Sequence, residues 1–264
     1  MKNKCLLVIF VQLCFLASLY NQENNASKFI WNRGAITRGD SLAKNIYLVF
    51  TGDEYVDGGR HILSVLNKNN IKASFFLTGR FYARPGFKKI IKQLKKSGHY
   101  LGAHGDAHLL YCSWTNRDSL LVTKQQFSDD LLANYEKMQQ FGIFKKDAEV
   151  FLPPFEWYND SIASWTSELG LQLINYTPGT LSHADYTVPG EKNYRTSQTI
   201  YESIMEYEKN KQNGLNGFIL LMHIGTDSRR TDKFYYRLQE LLLYLRKNNY
   251  QFKKADHLLN AKSY

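Results

Sequence analysis

The apolar positions of this chain fall into short unbroken runs separated by longer amphipathic stretches. The run 46–50 (Ile-Tyr-Leu-Val-Phe) has the length and the β-branched and aromatic content of a strand buried on both faces. Similar runs predict strands at 73–77, 99–102, 149–152, 171–175, 217–222 and about 250–253. The fourth stops at Pro153-Pro154, which cannot donate to a ladder. Between the runs, helical spacing of apolar positions predicts helices over 59–69, 85–96, 124–141, 160–169, 197–211 and 232–247. Strands alternating with helices of this length imply a parallel sheet with helices outside. About seven such units fit a distorted (β/α) barrel in a single α/β domain, here 34–264. A doubly wound open sheet is the other arrangement compatible with the pattern. Segment 176–196, rich in Thr, Gly, Pro and Tyr, reads as one long loop.

Residues 1–20 have a different character. Lys2 and Lys4 precede an apolar run, 5–19, broken only by Gln12. This is the pattern of an export signal, and it is short of the roughly 20 apolar residues of a membrane span. Segment 21–33 opens with Asn21-Gln22-Glu23-Asn24-Asn25 and is expected to be a linker. The chain is therefore expected to be exported, periplasmic or extracellular, with no transmembrane domain. Lipid anchoring through Cys14 has less support, because Val11-Gln12-Leu13 lacks a small residue before the cysteine. Beyond the signal only Cys112 remains, so no intrachain disulfide can form.

The net charge of +10 falls to +8 without the signal, which holds two lysines and no acid. Lys88, Lys89, Lys92, Lys95 and Lys96 recur at helical spacing and read as a solvated helix face. No nucleic-acid-binding motif accompanies the charge, so no nucleic-acid partner is expected. An acidic glycan or envelope surface is the partner such charge would favour. The pattern assigns no oligomeric state.

Candidate chemistry gathers where strands end. His104 and His108, four residues apart, would lie on one face of a helix, with two neutral nitrogens free for one cation. Asp53 and Glu54 follow the first predicted strand, Pro153 to Tyr158 the fourth, and His223 the sixth. In β/α barrels the carboxyl ends of the strands carry the active site. A divalent metal, zinc above all, suits this set. The aromatics Tyr111, Trp114, Trp157, Tyr158 and Tyr186 are candidates to frame the cleft, Trp157 and Tyr158 the better placed.

In order along the chain, these elements resemble the polysaccharide deacetylase family, also called the NodB-homology domain or carbohydrate esterase family 4. Thr51-Gly52-Asp53-Glu54 stands where that family has Thr-Phe-Asp-Asp, and Lys72-Ala73-Ser74-Phe75-Phe76 is similar to its Lys-Ala-Thr-Phe-Phe. His104 and His108 match its His-x-x-x-His. Phe151-Leu152-Pro153-Pro154-Phe155 resembles its Phe-Arg-Pro-Pro-Tyr, and Leu221-Met222-His223 its Leu-x-His. The resemblance implies hydrolytic, metal-dependent removal of an acetyl group from an amino sugar or sugar ester. One carboxylate and two histidines hold the metal, a second carboxylate acts as base, and the Leu-x-His histidine protonates the leaving group.

Carried over, this gives Asp53 and His223 as catalytic residues and Asp53, Glu54, His104 and His108 as candidate metal ligands. Pro154, Glu156, Trp157 and Tyr158 become candidates for contact with an acetylated glycan. Two registers compete at the first element. Either Asp53 is the base and Glu54 a ligand, or Thr51 takes the base position and Asp53 reaches the metal. Leu152 replaces the family's arginine, and Glu156 stands where a glycine is common, a candidate replacement carboxylate. Asp185 is the only acid in 176–190 and a candidate partner for the catalytic histidine. These departures leave two alternatives: a glycan-binding pseudoenzyme on the same barrel, or a hydrolase of another amide or ester.

Overall fold

The computed structural model describes residues 29–261. The expected export signal, and 21–28 of the expected linker, lie outside them. Nine strands form one curled mixed sheet, a half-barrel with helices around it. The strands are β1 (Ile30–Asn32), β2 (Ala35–Arg38), β3 (Asn45–Gly52), β4 (Ser74–Leu77), β5 (Tyr100–Ala103), β6 (Val150–Phe151), β7 (Gln172–Leu173), β8 (Phe218–His223) and β9 (Gln251–Lys253). Their order is β1-β2-β8-β3-β4-β5-β6-β7, with β9 added beside the start of β3. β3 through β9 are the expected parallel strands. β1 and β2 are antiparallel additions that the apolar pattern did not reveal. β1 lies within the segment expected to be a linker, and β2 just beyond it. A bridge from Ile36 to Ile174 sets β2 against the far end of the sheet.

β3 is the centre. It is buried along nearly its whole length, as a parallel strand covered on both faces must be. Phe50 stacks on Phe75 of β4 at 5.0 Å. Each fully buried Phe contributes roughly 1.5–3 kcal/mol of apolar transfer.

The helices are α1 (Gly59–Lys68), α2 (Gly79–Ala83), α3 (Lys88–Lys96), α4 (Lys124–Gln139), α5 (Asp160–Glu168), α6 (Ser197–Asn210) and α7 (Leu238–Lys247). α3 buries Ile90, Ile91 and Leu94 and leaves its five lysines in solvent. α4 starts at a capping box, with the Thr123 hydroxyl on the Gln126 N–H and the Gln126 side chain on the Thr123 N–H. Cys112 is buried and free. Among the described residues no helix is long and apolar enough to cross a membrane.

Candidate active site

A cleft of about 510 Å³ opens at the carboxyl ends of the parallel strands. That is the size of a small-ligand site. It collects Thr51 from the end of β3 and Asp53 just after it, Arg80 after β4, His104 and His108 after β5, Glu156 after β6 and His223 from β8.

Strand alternation decides what β3 presents. Thr51 is in register with His223 on β8, so both side chains leave the same face of the sheet. Gly52 faces the other way, where a Cβ would meet Ile224, Leu77 and Phe81 at 2.6, 2.9 and 3.1 Å. Asp53 returns to the cleft side. It accepts from the Thr78 hydroxyl at 2.8 Å and from Arg80 Nε at 3.0 Å, and a second Arg80 nitrogen binds its other oxygen. That oxygen is 3.8 Å from His108 Nδ1. Glu54 sits apart, exposed at the mouth of the cleft. Asp53, rather than Glu54, is therefore the carboxylate that stands beside the histidines. The Thr51 hydroxyl oxygen is buried without a hydrogen-bond partner.

His104 and His108 do not lie on a helix as their spacing suggested. They flank a loop in which Gly105 and His108 both have positive φ, 78° and 54°. One face of α4 holds this loop. Asn134 accepts the His104 N–H at 2.9 Å, Asp130 accepts the Ala107 N–H at 2.8 Å, and Lys137 binds Asp106 at 2.7 Å. These three side chains are spaced i, i+4, i+7. The two imidazole centroids end 5.2 Å apart.

His104 Nδ1 donates to the Leu152 carbonyl at 2.8 Å, which leaves Nε2 as the free nitrogen. Burial holds both imidazoles in the neutral form. His104 falls well below its usual range, with His108 adding to the effect. Burial takes His108 down to about 4 despite the opposing pull of Asp53.

His223 is the opposite case. Burial alone would lower its pKa, but the charge and hydrogen bond of Asp185 outweigh that and raise it. Its Nδ1 lies 2.6 Å from Asp185 Oδ1, and its backbone N–H donates to Asp185 Oδ2 at 3.0 Å. Asp185, from the short helical turn Ser182–Tyr186 in the long loop, is 2% exposed.

Glu156 reaches the cleft through an unusual backbone. Phe155 and Glu156 are consecutive non-glycine residues with φ of 58° and 53°. Such conformations cost roughly 1–3 kcal/mol each and persist only where surroundings enforce them. Pro153-Pro154 precede them, and Asn175 binds the Glu156 carbonyl at 2.8 Å. Glu156 Oε1 lies 3.9 Å from His104 Nε2. Burial raises the Glu156 carboxyl to about 7.

Of the other expected glycan contacts, Pro154 and Tyr158 are buried; the Tyr158 hydroxyl is spent on the Asn32 carbonyl at 2.8 Å. Tyr111 is also buried, bound to Asp130. Trp157 is half-buried, its N–H on the Ser113 carbonyl and its ring beneath Arg117. The aromatic wall of the cleft is Trp114, Phe155 and Tyr186, all exposed. Arg80 and Thr78 were not foreseen, having no motif around them.

The donor chemistry fits a divalent ion of the zinc class: two neutral imidazoles and a carboxylate. Two ligands about 2 Å from one tetrahedral ion stand roughly 3.4 Å apart, close to the Asp53–His108 separation. Yet the described residues contain no ready-made cluster of three or more ligating side chains. They form two pairs, Asp53 with His108 and His104 with Glu156, and Arg80 already neutralises Asp53.

The description "polysaccharide deacetylase" belongs to the family model that matches residues 38–174, more than half of the chain. A peptidoglycan-N-acetylmuramic acid deacetylase of Bacillus subtilis, PdaA, is 25% identical over 94% of this chain and 85% of its own length. The structure of that family 4 carbohydrate esterase superposes with a TM-score of 0.67 at 23% identity, covering 88% of this chain and 87% of that one. A family 4 pseudoenzyme from Bacillus anthracis superposes at 0.66 with 17% identity, covering 89% and 72%.

Proposed function

The chain belongs to the polysaccharide deacetylase family, and from that premise we propose that it hydrolyses acetyl groups from an acetylated glycan with a divalent metal, zinc, held by Asp53, His104 and His108. The observation that carries this reading is the convergence of Asp53, His104, His108 and His223, from three separate strand ends, on one cleft. When bound, such an ion polarises the acetyl carbonyl and makes water more acidic. Arg80 and Thr78 hold Asp53 in place, and the Leu152 carbonyl fixes the ring of His104. His223, made more basic by the charge and hydrogen bond of Asp185, donates its Nε2 proton to the departing amine or alcohol. Trp114, Phe155 and Tyr186 offer apolar faces to a sugar ring. The deacetylase of peptidoglycan among the relatives makes a peptidoglycan amino sugar the first substrate to try. Residues 1–20 support export to meet it.

The test is metal analysis of the purified protein with acetate release from peptidoglycan, N-acetylated chito-oligosaccharides and acetylated xylan. The proposal expects one bound zinc and release that a chelator stops and zinc restores. Zinc without release from any of the three would make the chain a glycan-binding pseudoenzyme. Absence of metal at His104 and His108 would end the hydrolase reading.

A further inference from the structure

We propose that Glu156, and no residue of β3, is the catalytic base: its carboxylate takes the proton of the attacking water. This inference rests on the deacetylase reading above. Its ground is what each acid of the cleft is already doing. Asp53 accepts from Thr78 and from both ends of the Arg80 guanidinium. Three of its roughly four lone-pair positions are taken, the remaining one on the oxygen that faces His108 is the one the proposed metal would use, and its charge is compensated. Asp227 accepts from Arg229, from the Arg229 N–H and from Tyr55. Glu54 and Glu191 are exposed at the rim, where a base is solvated and poorly positioned. Among the described residues lining the cleft, Glu156 is the acid that is sheltered, 14% exposed, and receives no hydrogen bond on its carboxylate.

The position is built, at a cost. Two consecutive left-handed residues place the side chain there, and the Asn175 amide pins the Glu156 carbonyl at 2.8 Å. The strand end that could offer a base offers Thr51, whose hydroxyl is no proton acceptor near neutrality. Glu156 Oε1 stands 3.9 Å from His104 Nε2, beside the proposed metal, and lines the same cleft as His223.

The step balances as follows. A water oxygen bonds to the acetyl carbonyl carbon, and one of its protons passes to Glu156. The C–N bond (C–O in an ester) then breaks, and the His223 proton goes to the leaving nitrogen or oxygen. Acetic acid loses its remaining proton to solvent. The proton on Glu156 is exchanged through solvent, which returns His223 to its charged form.

Glu156→Gln keeps the shape and removes the base. With acetate release measured on whichever of peptidoglycan, N-acetylated chito-oligosaccharide or acetylated xylan the wild type cleaves, it should keep its zinc and its KM and lose roughly 10²–10⁴-fold in kcat. Loss of zinc from the variant would make Glu156 a metal ligand and overturn the proposal. So would zinc retention with kcat within threefold of wild type. A wild type that releases acetate from none of the three overturns the deacetylase reading and this inference together; an active Glu156→Gln overturns this inference alone.

Discussion

His223 Nδ1 and Asp185 Oδ1 are 2.6 Å apart, and the same carboxylate also takes the His223 backbone N–H. The buried Asp185 thereby fixes both the ring and the strand end that carries it. The ion pair raises the His223 pKa against a burial effect that would lower it. A raised histidine adds stability that is present below its unfolded value, 6.5, and is lost as pH rises through the folded one. As an acid, His223 works protonated, so kcat should fall as pH rises through the same value. In Asp185→Asn burial dominates, and that falling limb should move to lower pH by roughly one unit or more. The pH dependence of kcat checks this; an unmoved limb would remove His223 from the role of acid.

Asp53 and Glu54 are adjacent in sequence and opposite in situation. Asp53 faces His108 at 3.8 Å, while Glu54 is exposed. Asp53→Asn should therefore lower zinc affinity at least about 100-fold, beyond the 10–100-fold typical of losing an outer-shell partner. Glu54→Gln should stay within about threefold. Competition titration with a zinc-responsive chelator measures both. Equal losses would restore Glu54 as a ligand.

The Trp114 ring is exposed, packed edge-on against Phe155 at 5.8 Å and beside Trp157 at 5.3 Å. A stacking face distant from the reacting bond binds ground and transition states alike. Trp114→Ala should raise KM about 5–20-fold with kcat nearly unchanged, on the glycan that the wild type cleaves. A loss in kcat alone would place Trp114 nearer the chemistry than the cleft suggests.

The strands of the barrel were legible because parallel strands buried on both faces read as unbroken apolar runs, and β3 to β9 lie within a few residues of expectation. β1 and β2 were missed because they are short antiparallel additions beside a polar linker. The histidine pair was legible as a site and misread as a helix. Its geometry comes from positive φ at Gly105 and His108 and from contacts with a helix more than twenty residues downstream. Arg80 and the Leu152 carbonyl could not be read at all. One is an ordinary arginine in the first turn of the short helix α2, the other a main-chain atom with no side-chain signature. Glu156 was named as an anomaly, and only the fold showed which way its side chain goes.

Glu156 also carries a stability consequence that needs no substrate. Its carboxyl rises from 4.5 to about 7 on folding, chiefly through burial. The folded protein then binds more protons than the unfolded chain between those values, so stability falls as pH rises through that window and is flat above it. The shift corresponds to about 3 kcal/mol, lessened by solvation from the open cleft. In the metal-free protein with chelator present, Glu156→Gln should gain about 1–2 kcal/mol at pH 8 and little at pH 4.5. Urea unfolding at the two pH values tests this; equal effects at both would mean the carboxyl is not displaced.

The polar stripe of α4 gives a way to separate support of the site from support of the fold. Asp130 and Asn134 satisfy the N–H groups of Ala107 and His104, and Asp130 also takes the Tyr111 hydroxyl at 2.8 Å. Leu131, one position away, is fully buried in the apolar core. Asp130→Ala leaves the buried Tyr111 hydroxyl unpaired, at about 1–3 kcal/mol, and frees the less sheltered Ala107 N–H. Leu131→Ala opens a cavity, at about 2–5 kcal/mol. The two variants should thus unfold at similar urea concentrations. Their zinc affinities should differ: Asp130→Ala releases the loop that orients His108 and should weaken binding 10–100-fold, as outer-shell losses do. Leu131→Ala leaves that loop bonded, so its folded fraction should bind zinc as the wild type does. Zinc titration below the unfolding transition distinguishes them. Equal weakening in both would mean that general stability governs the metal site, and equal retention would mean that the histidine loop holds its shape without α4.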